Sequence, residues 1–306
     1  MPLFIWLVCS LPVKKENKMA IDIRLPLLIA RQSQKLEEAG IDQGLAEVEI
    51  ILCNILNVER LELYLDGDKL LNDAHLKKLD EIVERRATRY PLQYILEEAR
   101  FYGRSFFVSP AVMVPTPETE ILCESAKGFI RCRKLLKPKI LDVGVGSGVI
   151  SVTLANELSD CSIVALDISE EAIKVAKINA DKLGNRDKIE FRKSDFFSAL
   201  KPDEKFDLIL SNPPYISHDE YKDLPPEVLA DPKVSLVADN DGLGAIETLV
   251  KFSPNYLTKG GKLMFEIGYN QADRVSKLTE TDPRYKSIVQ LRDLNDIDRV
   301  VILTCD

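Results

Sequence analysis

From Lys139 to the end of the chain, short apolar runs alternate with helical stretches, and this alternation limits the fold more than any other feature. The runs are KILDV, SIVALD, KIEFR, FDLIL, KLMFEI and RVVIL. Strands separated by helices imply an α/β domain with a mostly parallel sheet covered on both faces. Ligands of such sheets sit beyond the carboxyl ends of the strands. The residues that follow each run are therefore the first place to look for chemistry.

The first run leads into ILDVGVGSGVISVTLA, a strand, a glycine loop and a helix start. Gly144, Gly146 and Gly148 alternate with Val145 and Ser147. A loop so stripped of side chains lets a ligand lie against the backbone and the helix N-terminus. The next run, SIVALD, ends in Asp167, 19 residues past Gly148. A carboxylate there can accept from both hydroxyls of a ribose. Its other reading is a helix cap, a role that Ser169 fills better. After KIEFR comes SDFF, where Asp195 can accept from an adenine amino group and Phe196 can lie along the ring; Phe196 is equally at home in a core. The fingerprint for a nicotinamide dinucleotide is G-x-G-x-x-G, and here its third glycine position is Val149. No G-K-S/T follows, so a P-loop is excluded.

The fourth run, FDLIL, ends in SNPPYIS, Ser211 to Ser217. Prolines remove backbone donors and stop a strand. The stretch is either a rigid turn or a fixed set of carbonyl oxygens facing a ligand. His218 follows it directly and is a candidate base, but closeness in sequence is not hydrogen-bond geometry and a solvated loop fits it better.

Ahead of this region the pattern is helical. Leu25, Leu28, Ile29 and Leu36 form one stripe, with Gly40 as a stop. Leu45, Val48, Ile51, Leu52, Ile55 and Leu56 form a second. Leu76, Leu79, Ile82 and Val83 form a third, opened by Asn72 or Asp73 as a cap. Three or more such helices predict a small bundle over 20–92. YILEEARFYGRSFFVSP then predicts a β-hairpin linker over 93–113, centred on Gly103, before a second domain over 114–306. The first residues, MPLFIWLVCSLPVKKENKMA, carry an apolar run too short to span a bilayer, with no basic residue before it. A disordered extension over 1–19, or Met19 as the working start, is the expectation. Nothing later reads as a membrane span, and the chain is expected to be cytoplasmic.

Composition narrows the partners. The net charge is −8, which argues against a surface built to grip duplex phosphates. Six cysteines form no C-x-x-C pair, and there are only two histidines, so no metal site is expected. Buried reduced thiols account for the cysteines.

Asp142 to Gly148, Asp167, Asp195 and NPPY occur in the order used by class I S-adenosylmethionine-dependent methyltransferases, and the chain resembles them. NPPY narrows the resemblance to enzymes that methylate planar nitrogens: adenine or cytosine in nucleic acid, or glutamine in protein. PLQYILEEARFYG, VPTPETE, NPPYIS, DPKVSLVADNDGL and DLNDIDRVV resemble the HemK-like release factor glutamine methyltransferases from about Ile21 onward. That family methylates the glutamine of the Gly-Gly-Gln motif in class 1 peptide chain release factors. The resemblance implies a Rossmann-like domain with a seven-stranded sheet, preceded by the helical bundle and hairpin. It implies S-adenosylmethionine bound by Gly144, Val145, Gly146, Ser147, Gly148, Asp167, Asp195, Phe196 and Asn212. It also implies catalysis by Asn212, Pro213, Pro214 and Tyr215. The family usually carries Arg at Thr116, often Gly at Glu97, commonly Thr at Val145, and Gly in place of Asn295 or Asp296.

The chemistry explains the motif. An amide nitrogen is a poor nucleophile because its lone pair is delocalised into the carbonyl. The Asn212 side-chain oxygen and the Pro213 carbonyl are the candidate acceptors for its two hydrogens, and the prolines hold that carbonyl where it points. Tyr215 is expected to lie against the flat amide. Glu118 and Glu120 in PTPETE either face the positive end of the donor or simply favour a helix start. Glu266 in FEIG ends a later strand and either caps or supports the site. An adenine N6-methyltransferase shares NPPY but needs a nucleic-acid grip, which the acidic balance and small helical domain disfavour. A ribosomal-protein glutamine is the other protein substrate of this kind. No direct nucleic-acid partner is expected; the helical domain is expected to dock the protein partner.

Overall fold

The structure, a computed structural model, describes residues 25–280 and 282–306; the extension expected over 1–19 lies outside the described residues. The described chain forms two compact units that divide between Asp80 and Glu81. The first is helical: α1 (Leu25–Glu38), α2 (Gly44–Leu56), α3 (Arg60–Leu70) and the opening turns of α4 (Asp73–Ala87). Leu25, Leu28, Ile29 and Leu36 of α1 are buried, so that stripe is a core face. Of the second stripe Val48, Ile51 and Leu52 are buried, Ile55 and Leu56 are half-buried, and Leu45, in the first turn of α2, is exposed. Asn72 accepts from the His75 backbone N–H at 3.0 Å and so caps α4. α3 has no comparable stripe: Leu61, Tyr64 and Leu65 are exposed while Leu63 is buried.

The second unit opens with the last residues of α4, α5 (Leu92–Leu96) and a hairpin of β1 (Glu98–Phe101) and β2 (Arg104–Phe107). Tyr102 and Gly103 at its tip both have positive φ, the two-residue turn that matches strand twist. α6 (Thr119–Arg133) then leads into a seven-stranded sheet.

That sheet runs through β3 (Lys139–Val143), α7 (Val149–Glu157), β4 (Ser162–Asp167), α8 (Glu170–Lys182), β5 (Ile189–Lys193) and β6 (Phe206–Ser211). Three one-turn segments follow: α9 (Pro226–Leu229), α10 (Lys233–Leu236) and α11 (Asp239–Gly242). α12 (Gly244–Phe252), β7 (Leu257–Glu266), α13 (Ala272–Glu280), β8 (Tyr285–Arg292) and β9 (Asp298–Cys305) complete it. The strand order is β5-β4-β3-β6-β7-β9-β8. β5, β4, β3, β6 and β7 are parallel, and β9 and β8 close one side antiparallel. Alternate strand residues feed two cores. Ile140, Leu208 and Leu210 pack with α6, α7 and α8, while Leu141, Val143 and Ile209 pack with α12 and α13.

The chain proceeds outward from β3 through β4 to β5 and then returns to the other side of β3 as β6. This reversal opens a crevice beyond the carboxyl ends of β3 and β6. The Ser211 hydroxyl donates to the Val143 carbonyl at 2.7 Å and ties the two strands together at that point.

Candidate active site

A cavity of about 880 Å³ fills this crevice. Each of the five parallel strands brings a different group to the same sheet edge: the glycine loop after β3, Asp167 at the end of β4, Asp195 and Phe196 after β5, Asn212 after β6, and Glu266 at the end of β7. Gly144, Val145, Gly146, Ser147, Asp167, Asp195, Phe196, Asn212, Pro213 and Pro214 line the cavity wall. Gly148 and Tyr215 do not.

Gly148 packs helices instead. It has φ 83°, and a methyl group there would sit 3.1 Å from the Ala176 side chain of α8. The packing glycine of the nicotinamide fingerprint, missing at Val149, is thus supplied one residue earlier. Gly146 is the opposite case: a methyl group there would meet no atom within 4 Å. The backbone edge at Gly146 is bare because nothing but the cavity adjoins it.

Asp167 holds the loop in place. One carboxylate oxygen accepts from the Gly146 N–H at 2.9 Å and the other from the Ser169 N–H at 2.9 Å. Each oxygen has two acceptor positions, so each keeps one for a ligand. Burial pushes the carboxyl up, against the pull of the Ser169 and Gly146 N–H groups. Ser169 caps α8 by accepting from Ala172. Phe196 sits at φ 44°, an uncommon conformation for an aromatic residue; the Ser194 hydroxyl donates to its carbonyl at 2.6 Å. Asp142, fully buried behind the loop, accepts from Ser151 at 2.5 Å through one oxygen, while the other has no partner.

Asn212 is oriented by a residue that the motif does not contain. Its Nδ2 donates to the Thr119 hydroxyl at 3.1 Å, and that hydroxyl donates to Glu266 Oε2 at 2.8 Å. Tyr215 completes the network by donating its phenol to Glu266 Oε1 at 3.2 Å. The ring of Tyr215 therefore anchors a buried carboxylate, in place of the wall position expected against the substrate amide. Burial pushes the Glu266 carboxyl up to about 7, against the opposing effects of Thr119, Arg299 and Tyr215.

The backbone of Tyr215 is held from the other side. Gln271, buried, donates to the carbonyls of Tyr215 at 2.9 Å and Gly242 at 3.2 Å and accepts from the Gly268 N–H at 2.9 Å. Asn240, Asp241 and Gly242 all have positive φ, and this tight turn carries Gly242 under the Tyr215 carbonyl.

Of the two acids in PTPETE, neither lines the cavity. Glu120 accepts from the Tyr102 N–H at 2.7 Å, and the threonine between them is the residue that faces Asn212. His218 is on the cavity rim, exposed and within 3.0 Å of Asp239, a solvated pair. Pro232 to Ser235 and Val237 to Ala238, part of DPKVSLVADNDGL, also line the cavity. Asp231 ties this stretch down by accepting from the Val114 N–H at 3.3 Å and from the Tyr94 phenol. Glu227 does the same through Arg89 and Arg86, at 2.5 and 3.0 Å. Thr119 and Gln271 escape a reading of the sequence because their roles depend on partners 93 and 56 positions away.

Known proteins of similar sequence identify the family. Residues 28–96 match the model of a PrmC N-terminal domain, and residues 137–299 match that of a methyltransferase domain. The chain is 40% identical to a release factor glutamine methyltransferase of Fusobacterium nucleatum, covering 87% of this chain and 75% of that protein. It is 37% identical to the protein of the same name from Nitratidesulfovibrio vulgaris, covering 90% and 92%. A solved structure of the human Mettl16 catalytic domain superposes with a TM-score of 0.54 at 16% identity, covering 73% of this chain and 80% of that one. That likeness confirms the class I methyltransferase fold. With both domain models matched in order and relatives of this identity along most of its length, the chain belongs to the family of release factor glutamine methyltransferases.

Proposed function

We propose that the chain methylates the side-chain N5 nitrogen of a glutamine, that of the Gly-Gly-Gln motif in class 1 release factors, with S-adenosylmethionine as donor. The observation that carries the reading is Asn212. Its NH2 group is engaged by Thr119, which leaves its carbonyl oxygen for the cavity, beside Pro213 and the glycine loop.

The residues present fit the donor. The bare backbone at Gly146 is a cradle that any side chain would fill, and Asp167 keeps one acceptor position on each oxygen for ribose hydroxyls. Asp195 and Phe196 on the wall suit an adenine ring. When bound, the donor supplies a methyl group already activated on a sulfonium centre. What remains for the protein is positioning and polarisation. Asn212 Oδ1 and the Pro213 carbonyl accept the two amide hydrogens, which holds the nitrogen flat and withdraws its protons toward the enzyme. A hydroxyl has one hydrogen for two acceptors, so the pair selects a flat NH2 group; the choice of glutamine over a nucleobase follows the names of the relatives. No strong base is required, because the amide nitrogen becomes acidic as it gains the methyl group.

The helical segment over 20–92 is the proposed docking element, the hairpin over 93–113 the linker, and 114–306 the catalytic domain. Leu61, Tyr64 and Leu65 make an exposed apolar face on α3 that suits a protein partner, since a single glutamine offers too little area for recognition. Among the described residues no helix is long and apolar enough to cross a membrane; a cytoplasmic location belongs to the proposal. The test incubates the full chain and its Asn212→Ala variant with isotopically labelled donor, release factor and plasmid DNA, and locates the methyl by mass spectrometry. The expected product is N5-methylglutamine in release factor, made by the wild type alone. Methyl found only on DNA overturns the reading.

A further inference from the structure

The proton inventory around Glu266 determines more than the distances alone. Asn212, Thr119 and Glu266 form a chain of two hydrogen bonds, at 3.1 and 2.8 Å, and Glu266 is 1% exposed. An ionised carboxylate only accepts. The single hydroxyl hydrogen of Thr119 must then go to Glu266, and that of Tyr215 likewise. Thr119 is left with lone pairs alone to offer Asn212. The Asn212 amide must turn its NH2 toward Thr119 and its oxygen toward the cavity.

A protonated Glu266 reverses this. Its acid hydrogen can be donated to Thr119, whose own hydrogen is then free for the Asn212 oxygen. The amide can turn over, and its NH2 would then meet the NH2 of a substrate amide, donor against donor. We propose that Glu266 is a positioning residue whose charge, relayed by Thr119, sets which end of the Asn212 amide faces the acceptor nitrogen. This rests on the reading of the acceptor as a carboxamide.

The surroundings put the change in the neutral range. Glu118 and Thr119 face Glu266 from the start of α6, Tyr215 from the stretch after β6, and Arg299 from β9. Arg299 is itself paired with Asp293 at 3.1 Å. Burial raises the carboxyl most, Glu118 adds to it, and Thr119, Arg299 and Tyr215 oppose, with a balance of about 7. The active orientation therefore holds above about pH 7 and is lost as pH falls through that value.

The test uses the full chain with asparagine side chains labelled with nitrogen-15, without donor or substrate, from pH 5.5 to 9. The Asn212 resonances are assigned by their loss in Asn212→Asp. Their shift is expected to follow one midpoint near 7. The shift should vanish in Glu266→Gln and Thr119→Val and return in Thr119→Ser, which restores the hydroxyl. In methylation of release factor, the wild type should show an acid limb with the same midpoint. Glu266→Gln should lose that limb and fall in kcat on the order of 10- to 100-fold, with donor KM within about two-fold. Asn212 resonances that ignore pH, or an acid limb intact in Glu266→Gln, overturn the proposal. If the resonances titrate as described but no glutamine is methylated at any pH, the functional reading falls and the positioning device stands.

Discussion

Replacing Gly242 with alanine should slow the enzyme as well as loosen it, and the structure gives the size of both effects. Gly242 has φ 81°, which costs a residue with a side chain about 1–2 kcal/mol. The added carbon would lie 2.2 Å from the Tyr215 carbonyl oxygen and 2.9 Å from its carbon, both main-chain atoms that cannot swing aside. Relieving this requires a shift of about 1 Å, an overpacking cost of roughly 1–3 kcal/mol. The same shift stretches the two bonds that Gln271 donates to Tyr215 and Gly242, at about 1 kcal/mol each if lost. With both bonds lost the sum is about 4–7 kcal/mol. Gly184→Ala is the matched control: φ is 74°, yet no atom lies within 4 Å of the added carbon, so only the conformational cost applies. At about 2–4 °C per kcal/mol, Gly242→Ala should melt well below Gly184→Ala. Because Tyr215 lies three residues beyond Asn212, a displacement near 1 Å should also cut kcat by roughly 100-fold. Donor affinity, measured by calorimetry, should change less than kcat, since the atoms that the added carbon meets belong to Tyr215 and Gln271 and not to the glycine loop or Asp167. Equal melting of the two variants together with wild-type kcat in Gly242→Ala would refute the packing argument.

Three further outcomes are expected. Glu97 and Asp296 have φ 54° and 61°, so Glu97→Gly and Asp296→Gly should each gain about 0.5–1 kcal/mol in urea unfolding, with unchanged kcat. Glu266 is held at about 7, above its usual value, so the folded protein favours its protonated form; this contribution is complete in acid and is lost as pH rises toward 7. Relative to Glu266→Gln, the wild type should therefore lose up to roughly 3 kcal/mol between pH 4.5 and pH 8, read from melting curves at the two limits. Asp167→Ala removes two charge-assisted acceptor positions and should weaken donor binding on the order of 100-fold in calorimetry while leaving circular dichroism unchanged.

Much of this architecture is legible because burial on both faces forces a parallel strand to be apolar throughout. KILDV, SIVALD and FDLIL announce themselves in that way, and each ends where the cavity begins. β8, YKSIVQLR, is an edge strand with half its residues toward water, and no apolar run marks it. The glycine loop is readable as a ligand cradle, but only the packing of α7 on α8 separates Gly148 from its neighbours. In PTPETE the acids draw attention by charge, whereas the working residue is the threonine between them, identified by a strand 147 positions later. Tyr215 reads as a ring for the substrate; a buried carboxylate claims its hydroxyl instead. The positions where relatives usually carry glycine acquire their reason from the backbone. Glu97 follows α5 at its left-handed end, and of Asn295 and Asp296 it is Asp296 that has positive φ.

The parallel strands also fix where a change in the cavity wall is felt. Asp167 and Glu266 are the last residues of strands paired in the sheet, and Asn212 and Pro213 follow directly on Ser211, the last paired residue of β6. The wall from Pro232 to Ala238 is held by the side chains of Asp231 and Glu227 and by main-chain bonds of Ile216 with Leu236 and Ala238, both at 2.9 Å. A change in that stretch is therefore carried by the main chain to Ile216, four residues beyond Asn212. Wall and motif are fastened to one another, so a descendant that altered the first would have to re-seat the second.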